Sequence, residues 1–265
     1  MKNIFTIFSL TIFLSINAQT FKISEYDLPK IVSELFDAKY NRQTKEFIWK
    51  PNYAETGFGD LRTDGNLYTT SGGASDGNLY TKIDTILTHN KKKDIVTIAT
   101  RTYLKYENGE IETCRQCSPI LSLMSFKIDE TRENLQLLYF KKNVVDNGSW
   151  GEPNPVEIIQ FSENDYFVML KYLESGHGDV NEYITLYYEG NEVLHFCSSS
   201  DNAGATYNVN KIYSWETSMK VDKINRIITL TKKGTDISEK TGKKIPVNKI
   251  TKYKISDDPV SIVKI

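Results

Sequence analysis

From Glu46 onward the chain is a succession of short runs rich in β-branched and aromatic residues, many alternating apolar and polar with period two. The runs cover 46–50, 79–87, 94–104, 120–128, 135–141, 156–161, 166–173, 182–188, 193–197, 212–219, 226–231 and 250–255. Turn chemistry separates them, at Glu107-Asn108-Gly109, Ser162-Glu163-Asn164, Glu189-Gly190-Asn191 and Lys232-Lys233-Gly234. Connections this short join antiparallel neighbours. The expected class is therefore mainly β, an antiparallel sandwich or a twisted two-sheet architecture. With no Pro-rich or Ser-rich linker in sight, residues 19–265 read as a single domain.

One segment breaks the pattern. Leu28, Ile31, Val32, Leu35 and Phe36 recur at helical period and form a single apolar stripe. Asp27 is placed to cap the helix, and Pro29 falls in its first turn, where a missing N–H costs nothing. The reading predicts one amphipathic helix near 27–38 covering a sheet. A short repeat, Asp64-Gly65-Asn66-Leu67-Tyr68-Thr69 and again Asp76-Gly77-Asn78-Leu79-Tyr80-Thr81, reads as turn followed by strand.

Ahead of these elements stands an export signal. Lys2 gives a positive start, 4–16 is mostly apolar, and Ala18 supplies the small residue at which a signal peptidase cuts. Cleavage near Ala18 predicts a periplasmic or secreted protein. Apart from this segment, no apolar run reaches the length of a membrane span. A formal net charge of −1 argues against a nucleic-acid binder driven by overall charge. The charge is uneven, however: residues 211–265 carry 13 Lys and Arg against 6 Asp and Glu. Solvated outer strand faces explain this most simply, and a docking face for an anionic partner or glycan is the sharper reading.

An oxidising compartment directs the reading of the cysteines toward disulfides among Cys114, Cys117 and Cys197. Loop entropy gives about 2 kcal/mol for a 114–117 bridge and about 4.5 for 117–197, and does not decide the pairing. His195 and Cys197 stand two apart on an expected strand and share a face; with Cys114 and Cys117 they would make a zinc set. No cofactor is expected, with zinc and calcium as minor alternatives. Gly73-Ala74-Ser75-Asp76-Gly77 spells a nucleophile-elbow pattern but lacks the strand before it and the helix after it.

The candidate site comes from topology. If the strands near 156–161, 166–173, 182–188 and 193–197 form an up-and-down meander, their connections alternate between two ends. Residues 148–153, 174–179 and 198–204 then meet on one rim, bringing together Trp150, Glu152, His177, Asp179, Asp201 and Asn202. Asp179, Asp201 and Asn202 suit Ca²⁺, and His177 with a carboxylate suits acid–base work. Gly148-Ser149-Trp150-Gly151-Glu152-Pro153, Gly176-x-Gly178 and Ser199-Ser200-Asp201-Asn202-x-Gly204 together resemble a pattern in exported bacterial β-rich proteins. The resemblance covers roughly 148–204 and implies no activity.

The functional expectation is a non-catalytic binding or interaction protein of the bacterial cell envelope. Its partner would be a glycan or an envelope protein, met by some of the 16 tyrosines and 3 tryptophans. Two other readings stand beside it: a secreted hydrolase using carboxylates and His177, and a structural or lipid-carrying β protein with an apolar cavity between its sheets.

Overall fold

A computed structural model describes residues 19–25, 27–50, 78–89, 94–105, 108–111, 119–146, 148–149, 152–162, 165–176, 178–204, 206, 208–256 and 260–265. The first half of the chain contributes β1 (Thr20–Lys22), α1 (Leu28–Phe36), β2 (Lys39–Asn41), β3 (Glu46–Trp49), β4 (Leu79–His89), β5 (Ile95–Tyr103), β6 (Ile120–Ile128) and β7 (Asn134–Asp146). A two-residue pair follows, β8 (Gly148–Ser149) with β9 (Glu152–Pro153). The rest is β10 (Val156–Gln160), β11 (Tyr166–Gly176), β12 (Asp179–Tyr188), β13 (Asn191–Asp201), β14 (Ser214–Asp222), β15 (Ile227–Ile237), β16 (Lys244–Ile255) and β17 (Ile262–Lys264).

Among the described residues these strands form two large antiparallel sheets, in the sandwich-like class that the strand runs imply. In the seven-stranded sheet β2 to β7 follow in chain order, and β1 returns to pair beside β7. The eight-stranded sheet runs β10 to β17 without a crossover. Its β10–β13 half is the up-and-down meander on which the rim depends.

Helix α1 obeys its capping chemistry. The Lys30 amide donates to Asp27 Oδ1 at 2.9 Å, and Pro29 lies in the first turn. Asp37 ends the helix in the left-handed conformation at φ 52°. Ile31, Val32 and Phe36 are buried against Phe47, Trp49, Ile98 and Met124 on one face of the first sheet. Lys142 Nζ donates to the Phe36 carbonyl at 3.2 Å, placing a cation on the negative end of the helix. No described helix is long and apolar enough to cross a membrane.

The opposite face of that sheet carries Ala99, Leu121 and Leu123, which pack with Tyr166, Val168, Leu170 and Tyr187 of the second sheet. Strands β5 and β6 are thus covered on both faces, which is why Ile120–Ile128 reads as a nearly continuous apolar run. Strand β11 is also two-sided: Phe167 and Met169 belong to a separate core with Ile184, Leu186, Ile228, Leu230 and Ile255. Both halves of the second sheet supply that core, so the sheet curls onto itself. The bend falls where β13 and β14 pair over only three residues, Ser199–Asp201 with Ser214–Glu216.

Lys232-Lys233-Gly234 corrects the sequence reading. It is strand interior, within β15, and not a turn. Gly234 stands at φ 138°, and a Cβ there would lie 2.3 Å from the Ser214 carbonyl. The glycine is needed for close approach of β14, not for chain reversal. The Asn108-Gly109 turn does form, with Gly109 at φ 83° between the bridged residues Lys105 and Ile111. The Gly73–Gly77 segment and the first copy of the Asp-Gly-Asn-Leu-Tyr-Thr repeat lie outside the described residues; the second copy leads into β4 at Leu79.

Candidate functional site

At one end of the meander, Gly176 faces Asp179 across the β11–β12 turn and Val180 faces Asp201 across the β12–β13 ladder. A Cβ on Gly204 would come within 2.9 Å of the Gly178 carbonyl, so the two rim segments touch through their backbones. Asp179, Asp201 and Asn202 therefore do gather at a common end. Trp150 and His177 lie outside the described residues; Glu152 lies in β9, opposite Ser149.

The geometry gives two of the rim side chains structural duties. Asn202 Nδ2 donates to the Lys211 carbonyl at 3.0 Å, and Asn202 Oδ1 accepts from the Tyr213 amide at 2.7 Å. With 9% of its surface exposed, Asn202 ties the 202–213 connection to itself. Asp201 Oδ1 accepts from the Ala203 amide at 2.7 Å, an Asx turn that ends β13.

His195 and Cys197 do share a face, opposite Thr185 and Tyr183 respectively. The imidazole stacks on Tyr183, with ring centroids 5.4 Å apart and planes 13° from parallel, and Tyr183 stacks on Tyr172 at 5.0 Å. The His195 Nδ1 lies 2.9 Å from Thr185 Oγ1. Cys197 is a free thiol whose Sγ donates to the Ser199 carbonyl at 3.1 Å. Burial pushes that thiol above its ordinary value despite the opposing charge of Lys232, so near neutral pH it stays protonated and a poor nucleophile. Cys114 and Cys117 lie outside the described residues. Among the described residues no three His, Cys, Asp or Glu side chains converge as a metal site requires.

A pocket of about 220 Å³ opens at the other end of the meander, where strand ends of the second sheet meet the first sheet. The first sheet lines it with Asp94, Ile95, Lys127, Leu138 and Tyr139, and the second with Asp165, Tyr166, Tyr188 and Glu189. Strand termini set these positions: Asp165 and Tyr166 begin β11, Tyr188 and Glu189 end β12, and Asp94 precedes β5. The floor is a hydroxyl cluster across the sheets. Tyr166 OH lies 3.0 Å from Thr97 Oγ1 and 2.7 Å from Ser125 Oγ. Ser162 Oγ and Tyr188 OH donate to the two oxygens of Asp165, at 2.6 and 3.3 Å. The Tyr139 hydroxyl is buried beside Tyr166 and Thr97.

Electrostatically the pocket is acidic. Burial, and then the charge of Asp165, hold the Glu189 carboxyl above the usual range. Burial and the neighbouring Tyr166 keep the Tyr139 phenol far above its ordinary value, so it remains a neutral hydroxyl. Periodicity does not reveal this pocket, because its members come from five separate stretches of chain. The one local signal is an acid beside a tyrosine at a strand end, in Asp165-Tyr166 and again in Tyr188-Glu189.

No family model, curated protein or solved structure matches this chain.

Proposed function

We propose that this chain is an exported, non-catalytic binding protein of the bacterial cell envelope, and that it holds a small polar ligand at the seam of its two sheets. The pocket lined by Asp165, Glu189, Tyr139, Tyr166 and Tyr188 carries the reading. It is concave, and it is anchored on strand ends of both sheets. The space between the sheets behind it is filled by Ala99, Leu123, Val168 and Leu170, which favours binding at the mouth over carriage of a lipid inside.

A thermal-shift screen of the purified protein against neutral saccharides, carboxylic acids and small amines tests the reading. One class should raise the melting temperature, and Asp165→Asn or Tyr188→Phe should abolish the rise. The reading fails if every class acts alike on wild type and variants. Export rests on the pattern of 1–18 and is checked separately, by N-terminal sequencing of protein recovered from the periplasm or medium. The mature chain should begin at Gln19; recovery only from the cytoplasm with Met1 intact overturns it.

A further inference from the structure

We infer that the pocket at the sheet seam takes an organic ammonium ion, the charged head of a small cationic molecule; this rests on the reading of that pocket as the ligand site. Charge is the first argument. The lining holds the carboxylates of Asp94, Asp165 and Glu189 against the single ammonium of Lys127. The charge of Asp165 opposes ionisation of Glu189, and a cation beside the two carboxylates would relieve that repulsion.

Hydrogen-bonding capacity is the second. Tyr166 OH is engaged with Thr97 and Ser125, and Tyr188 OH donates to Asp165. The pocket therefore offers mainly acceptors and aromatic rings. Anions need donors, and sugars need donors and acceptors together, whereas an ammonium needs acceptors and π faces. Three tyrosines, Tyr139, Tyr166 and Tyr188, line the pocket.

Size and coordination narrow the class. Ca²⁺ takes 6–8 oxygen ligands in a tight shell. Among the described residues the acidic groups do not converge on a point in that way. A volume of about 220 Å³ is below the usual range for drug-sized ligands and suits a compact head such as a trimethylammonium group.

The test is calorimetric titration of the full chain with choline, with its neutral isostere 3,3-dimethylbutan-1-ol, and with CaCl₂. Choline should saturate one site and bind at least about tenfold tighter than the isostere. Asp165→Asn combined with Glu189→Gln should weaken choline by a further factor of about ten, while Lys252→Gln, remote on β16, should change nothing. Isostere or Ca²⁺ binding as tight as choline overturns the cationic assignment and leaves a ligand site. So does failure of choline when a neutral or acidic compound from the wider screen binds. If no compound of any class binds, the pocket reading falls as well.

Discussion

Asn202 and Asp179 sit at the same end of the meander, yet the two side chains do different work. Asn202 is buried and joins Lys211 to Tyr213 through both ends of its amide. Asn202→Ala would remove the partners of the Lys211 carbonyl and the Tyr213 amide, and should lower unfolding free energy by about 1–3 kcal/mol in urea titrations. Asp179→Ala should stay within about 0.5 kcal/mol in the same titrations. Two glutamates make the pH dependence specific. Glu46 is buried; burial alone would raise its carboxyl, but hydrogen bonds from Lys105 and Thr44 and the nearby Lys82 hold it below the ordinary value of 4.5. Its stabilisation is present above pH 4.5 and is lost as the pH falls through the depressed folded value. Glu189 has the opposite sign: its folded value is raised, so its contribution is full below 4.5 and is lost as pH rises from there through the raised folded value. Thermal melts across pH 3–8 (about the accessible range) should show Glu46→Gln destabilised near neutrality by about 2 kcal/mol and converging on wild type in acid. Glu189→Gln should melt higher than wild type near neutrality and match it in acid.

At the scale of elements, legibility followed covering. Runs that pack on one or two faces carry a pattern, and Ile120–Ile128 and Leu28–Phe36 were legible for that reason. The three-residue strands β1, β2 and β17 carry too little sequence to show any period, and they form because an edge is available to pair with. Glycine was legible as a conformational marker but not as a particular one. Gly109 marks a turn, whereas Gly234 marks a place where two strands come too close for a Cβ. The rim was legible as topology, since alternation of the meander's ends follows from strand count alone. That its polar residues are partly structural was not, because one hydrogen-bond partner, Lys211, lies in a connection with no pattern of its own, and the other, Tyr213, engages through a backbone amide that no side-chain pattern reports. Gly204 makes the contact between rim segments testable. Gly204→Ala should force the Gly178 backbone away and speed amide exchange at 178–180 and 201–204 while leaving exchange across β14–β16 unchanged. Uniform exchange in the variant and the wild type would show that the two segments do not bear on each other.

On the scale of the whole molecule, the seam between the sheets governs both stability and the pocket. No single stretch of sequence encodes that seam. Ala99 and Leu123 come from strands that also read as the floor under α1, and Val168 and Leu170 alternate with residues of a different core. The pocket shares this origin, since Asp94 and Tyr139 meet Asp165 and Glu189 only once the sheets have docked. Shared packing has a cooperative consequence. Trp49 is buried in the core under α1, and Trp215 lies in the second sheet with Lys232 Nζ 3.4 Å from its ring centre. In protein labelled with 5-fluorotryptophan, the Trp49 and Trp215 resonances, assigned and told apart from that of Trp150 through Trp→Phe variants, report on the two sheets in one sample. If the Leu123–Val168 contact region couples the sheets, both native signals should disappear over the same urea range. Leu123→Ala should cost about 2–5 kcal/mol and move both midpoints down together, although the residue belongs to only one of the sheets. A midpoint that shifts for Trp49 while Trp215 stays in place would mean that the sheets fold independently, and that the pocket at their seam is assembled by docking alone.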